Sequence, residues 1–362
     1  MTTEDVAAGA QPIQKEAQHQ PPPNPEGLAA DPGFLRSLWA SITAVFAKEA
    51  RWRMRGRRAF VVMTVYVALL GLLVLAVYQL LYDRSQFQFG LSVPAAVDQV
   101  SGSVSASIGQ AIFTSILVLQ TLLTVMLAPA LTSGAISAER EKQTMDLLIT
   151  TPVSTLGLVI GKLVSSLAFV LLLIVASVPL MSLVFAFGGV APEDVVRAYV
   201  VLFVIAFGIG SLGMLMSAVF RRTQVATAVA YLIVFTLTIG TLVIHSYLTF
   251  SARSGVDDPR DWRPAPEAIL WLNPLVTDVD LLCTAIPDNF GFACAYIAML
   301  QGNEFDDFVE PPRDAFWPKS AAAFALLGIG ATLLTTQLIS PSRRIRRQRP
   351  ATGPPLAESD PG

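Results

Sequence analysis

The residues best suited to chemistry sit in one stretch, Ala138-Glu139-Arg140-Glu141-Lys142-Gln143-Thr144-Met145-Asp146-Leu147-Leu148-Ile149-Thr150-Thr151-Pro152-Val153-Ser154. Their chemistry is charge pairing. Glu139, Lys142 and Asp146 recur at three and four residues, where opposite charges meet on a helix. Met145, Leu148 and Ile149 make an apolar stripe on another face, and Ala138 extends it one heptad back. These are good helix formers, so the pattern predicts a helix over 137–149. Thr151-Pro152 stops it and starts the next helix, with Thr as N-cap and Pro at the first helical position. A short charged helix joined to two apolar runs suits transmitting a push from a partner. The same residues also read as a solvated loop with a charge run.

Other chemistry fails on context. Gly208-Ile209-Gly210-Ser211-Leu212-Gly213 spells a dinucleotide fingerprint, but it lies inside an apolar run with no strand before it. Small residues there let helices approach closely. Gly157 to Lys162 resembles a phosphate loop, but with three residues between its glycines and Leu163 after the lysine. The chain therefore shows no ATPase of its own. No Ser/His/Asp set or HExxH motif is present, and His19 and His245 are too far apart to begin a metal centre. The expectation is a non-enzyme without metal or cofactor.

The elements that hold these residues follow from composition. Of 362 residues, 53% are apolar and 14% charged, against ~25% charged in soluble domains, and mean hydropathy is +0.57. The net charge of −2 provides no basic field for a nucleic acid. Six apolar runs, 59–82, 108–132, 160–186, 196–219, 225–248 and 319–340, reach the ~20 residues that cross a ~30 Å hydrocarbon core. The sequence predicts an all-α polytopic membrane protein with six transmembrane helices over 59–340. No Asp, Glu, Lys or Arg lies in the middle of a run, which argues against a secondary transporter. Gln120, Thr121, Thr124, Ser177, Ser211, Thr236 and Thr238 read as polar contacts between helices.

Leu35, Leu38, Trp39, Ile42, Val45 and Phe46 make 34–58 an amphipathic interfacial helix running into a basic edge, with five arginines from Arg51 to Arg58. With the N-terminus inside, the inner segments and Lys162 hold 18 of 25 Lys and Arg, so both termini are expected in the cytosol. The Pro-rich tails, 1–33 and 341–362, read as disordered. The outer segment 249–318 reads either as a re-entrant hairpin or as a helical cap. Cys283 and Cys294 within it are either bonded or, on the reading the apolar surroundings favour, two buried free thiols.

The inner stretch resembles the hallmark of the ABC type 2 permease family: Glu139-Arg140-Glu141, Thr144, Asp146, Leu147-Leu148, Thr151-Pro152, Ser154 and Gly161-Lys162. Gln143 stands where a glycine is often found. Trp271-Leu272-Asn273-Pro274 also looks like a family feature. The resemblance implies the membrane subunit of an ATP-driven exporter in a bacterial-type plasma membrane. It implies pairing as a homodimer or heterodimer with a second six-span permease, and a separate ABC ATPase subunit carrying ATP and Mg. Glu139, Arg140, Glu141, Thr144, Asp146, Leu147, Leu148 and Pro152 would couple to that ATPase. The acidic pair would meet its basic residues, and Arg140 would hold the N-terminal helix. Gly161, Lys162, Asn273 and Pro274 are motif positions. Some relatives look instead like accessory subunits of copper-enzyme maturation or gliding-type machinery.

Overall fold

The computed structural model describes residues 43, 57–89, 97–143, 155–254, 265–285, 294 and 315–339. In chain order the helices are α1 (Arg57–Phe89), α2 (Val97–Thr132), α3 (Ser137–Glu141), α4 (Thr155–Ala176), α5 (Val178–Met181) and α6 (Leu183–Phe187), then α7 (Pro192–Val219), α8 (Thr223–Phe235) and α9 (Thr241–Ser254), and finally α10 (Pro274–Ala285) and α11 (Trp317–Ile339). A π-helical turn, Thr236–Gly240, joins α8 to α9. Six helical segments are long and apolar enough to cross a membrane: Phe60–Tyr82, Ser105–Glu141, Thr155–Phe187, Pro192–Val219, Thr223–Ala252 and Trp317–Ile339. The protein is an all-α polytopic membrane protein. The tails 1–33 and 341–362 and all of the 34–50 helix except Thr43 lie outside the described residues.

The centre is α7, which packs against α2, α4, α8 and α11. Its small residues permit this. A Cβ on Gly213 would lie 2.2 Å from Thr132 Oγ1, and one on Gly208 would lie 2.8 Å from the Phe324 carbonyl oxygen. The near-motif at 208–213 is thus a packing surface. On the flank, α1 buries Tyr66, Leu70 and Val74, a stripe at every fourth position, and packs on α2. Its opposite face leaves Phe60, Leu72 and Leu80 exposed, as a membrane helix does toward lipid.

Polar residues join the helices where the sequence placed them. Gln120 Nε2 donates to Ser177 Oγ, and Ser177 lies 2.8 Å from the Tyr199 hydroxyl. Ser177 also donates to the Ile174 carbonyl at 2.7 Å, at the break between α4 and α5, where Pro179 prevents a continuous helix. His245 is fully buried, with Nε2 3.2 Å from the Ala265 carbonyl oxygen, holding the outer segment to the end of the fifth span.

In the outer segment, α10 packs against α2, α7 and α11. Cys283 and Cys294 are disulfide-bonded, which corrects the expectation of two free thiols. Composition could not decide this, because pairing depends on how close the fold brings the two sulfurs.

Candidate functional site

The inner stretch begins where α2 ends at Thr132. Residues 133–136 turn, and the Ile136 and Ser137 N–H groups both donate to Ser217 Oγ of α7 at 2.9 Å. These are orphan donors at the start of α3, and a hydroxyl from another helix satisfies them. Ser133 Oγ lies 2.7 Å from Thr227 Oγ1 of α8. A belt of hydroxyls thus seats the stretch on the end of α7 and the start of α8.

The three charged residues then face their own chain. Glu139 Oε1 forms an ion pair with Lys162 Nζ of α4. Lys162 is 4% exposed, so its ammonium depends on that partner and on the Ala135 carbonyl oxygen at 3.2 Å. Arg140 Nη1 donates to the Ala218 carbonyl oxygen at 2.6 Å, where a cation meets the negative end of α7. Glu141 Oε1 accepts the Thr223 N–H at 2.7 Å and Oε2 accepts the Thr223 hydroxyl at 3.0 Å. The N-cap of α8, Arg222, makes no side-chain cap of its own. Glu141 supplies the cap and a negative charge at the positive helix end. Three consecutive residues thus hold the third span, the end of the fourth and the start of the fifth.

This places Glu139 and Lys162, the two ends of the motif, in direct contact. The acidic pair, expected to meet an ATPase, and Arg140, expected to hold the N-terminal helix, are engaged here with the chain's own spans. The sequence named both ends and missed the pairing, because a separation of 23 positions gives no distance. Ser217 and Thr223 were missed as well. Thr223 after Arg221-Arg222 carried a faint signal, as a hydroxyl residue at a helix start.

The helix expected over 137–149 ends at Glu141, with Lys142 as its C-cap. Gln143 follows with φ 56°, the left-handed turn that closes a helix at the position glycine usually fills. Its N–H donates to the Arg140 carbonyl at 3.2 Å. A side chain in that conformation costs about 1 kcal/mol. Gln143→Gly is expected to raise the thermal unfolding midpoint of the purified chain by a few degrees, and an unchanged or lower midpoint would remove this account of the turn. Thr144, Asp146, Leu147, Leu148 and Pro152 lie outside the described residues.

Gly161 is buried in α4 beside Lys162. Beyond it an apolar cavity of about 430 Å³ lies between α4, α7 and α11, lined by Leu163, Leu167, Phe203, Phe207 and Leu333 with Thr332 as its polar contact.

Asn273 and Pro274 form a second joint, where α10 begins. Asn273 is fully buried. Its Nδ2 donates to the Thr238 carbonyl oxygen at 2.7 Å and to Thr241 Oγ1 at 2.9 Å, gripping the π turn. Its Oδ1 accepts the Leu275 and Val276 N–H groups at 3.0 and 3.1 Å. This is N-capping of α10, with Pro274 at the first helical position. Asp280 Oδ2 accepts the Phe316 and Trp317 N–H groups at 3.0 and 2.8 Å, capping α11. The outer segment thus ties the fifth span to the sixth.

No curated protein matches the sequence. The profile of a family described as ABC-2 family transporter protein matches residues 43–275, which takes in five of the six spans, the inner joint and Asn273-Pro274. That match covers more than half of the chain, and with the six spans it shows that the chain belongs to the ABC-2 transporter family, as an integral membrane permease of the ABC type.

Proposed function

We propose that the chain is the permease subunit of an ATP-driven exporter. It works beside a second six-span permease, this chain or another, and is driven by a separate ATPase subunit that binds ATP and Mg. Both termini face the cytosol in this reading, as the Lys and Arg distribution favours. The ATPase docks on the stretch between Gln143 and Thr155 and on residues 34–50, expected from the sequence to form an amphipathic helix. The observation that supports this best is the inner joint. A force on the loop meets Glu139, Arg140 and Glu141, and their bonds deliver it to the third, fourth and fifth spans as one body. Such an arrangement suits a two-state rigid-body switch biased by a partner's contacts.

The test is to purify the tagged chain from its native membrane in mild detergent and identify what accompanies it. The expected result is an ATPase with a complete phosphate loop, whose hydrolysis a transported compound stimulates. A second six-span chain in the same complex makes a heterodimer. Absence of any ATPase, where other complexes survive, overturns the reading. An ATPase that no candidate solute stimulates points instead to an accessory role in enzyme maturation or gliding-type machinery.

A further inference from the structure

Two carboxylates on α10 are buried two residues apart in contrasting surroundings. Asp280 receives two backbone N–H donors at Oδ2, an arrangement that favours an ionised carboxylate. Asp278 is 1% exposed, and among the described residues no N–H donor reaches it. Its Oδ2 has no hydrogen-bond partner, and neither does the buried Oγ1 of Thr121 on α2, although the two side chains face each other. The Thr121 hydroxyl can donate to the carboxylate, but one hydroxyl falls short of what a fully buried charged carboxylate needs, and a proton on Asp278 removes that cost.

We propose that Asp278 is a proton-binding site, held as the neutral acid and donating to Thr121, so that the docking of α10 on α2 depends on that proton. The surrounding groups leave the proton as the fitting ligand. Between Ser105 and Thr132, α2 carries no ionisable residue. On α7 they are Glu193, Asp194, Arg197 and Tyr199, with Arg197 paired to Asp194. Lys319 of α11 pairs with Glu267, and Asp280 is committed to the start of α11. Among the described residues no cation is thus placed against Asp278. Burial pushes its carboxyl up to about 8, with the Thr121 hydroxyl opposing. Of the mid-span polar positions read from the sequence, Thr121 is the one that faces Asp278, whose own place in the segment 249–318 gave no sign of the contact.

The pH dependence has a fixed sign. Unfolded, the acid releases its proton near ~4. Folded, it keeps the proton to about pH 8. Its stabilisation is complete below the unfolded value and is lost as pH rises through the folded one. The experiment compares thermal unfolding midpoints of the full chain and its Asp278→Asn variant from about pH 5 to about pH 9. The wild-type midpoint is expected to fall by roughly 5–10 °C relative to the variant over that window. Parallel curves overturn the proposal. If the variant does not fold, infrared titration of the wild type with isotope-labelled aspartate decides. A protonated carboxyl band that persists above neutral pH supports the site, and its absence there overturns it.

Discussion

Glu139→Lys is expected to abolish coupled ATP hydrolysis in the assembled transporter, and adding Lys162→Glu is expected to restore much of it. The single change leaves two ammonium groups together where Lys162 is 4% exposed, and breaking a buried pair from one side costs about 3–5 kcal/mol. The exchange rebuilds the pair with its charges reversed. If Glu139 worked by touching a basic residue on the ATPase, the second substitution would leave the defect in place. Hydrolysis and transport by the purified complex, with folded yield as the control, separate the two outcomes. Glu141→Lys is expected to do less harm, because Glu141 is exposed and a cap is lost rather than a buried ion stranded. Glu139→Lys with Glu141→Lys therefore uncouples by loosening the chain's own joint, while insertion into the membrane, which depends on hydropathy, continues.

Asn273→Ala should lower stability by roughly 3 kcal/mol or more, since several buried polar groups lose partners at about 1–3 kcal/mol each. Two donations, to Thr238 and Thr241, and two acceptances, from Leu275 and Val276, disappear together. Asn273→Asp keeps the acceptances and loses both donations, setting a carboxylate against a carbonyl oxygen. It is expected to behave almost as badly. Thr241→Val removes one acceptor and should cost least. The unfolding midpoints of the three variants in detergent check the order. If Asn273→Asp proves as stable as wild type, the grip on the π turn carries no weight. π turns inside α-helices are found frequently at functional sites, so the same variants are worth assaying for transport.

The six spans were legible because length and hydropathy are local properties. The run expected at 196–219 lies within Pro192–Val219, and the run expected at 319–340 overlaps Trp317–Ile339. The polar positions Gln120, Ser177 and Ser211 were legible as helix contacts for the same reason, since a hydroxyl or amide in an apolar run needs a partner, whereas the Thr238 hydroxyl bonds within its own helix. The partners were not legible. Glu141 meets Thr223 across 82 positions and Asn273 meets Thr238 across 35, and spacing is silent at that range. The break after Glu141 was not legible for a related reason. Propensity favours continuing through Gln143, and nothing in the residue types signals the left-handed turn there. Asp278 was passed over because its setting is made by α2, which is remote in sequence.

The long-range caps also set an order of events during synthesis. Glu141 emerges from the ribosome well before Thr223, and Asp280 before Phe316 and Trp317, so each cap forms only when a later span has arrived. At ~5–20 residues per second, the gap between Glu141 and Thr223 lasts several seconds. In that interval the first spans sit in the bilayer with the Glu141 carboxylate still awaiting Thr223. A chain truncated before the fifth span would insert yet never close its inner joint, and cellular quality control could recognise it by that open joint.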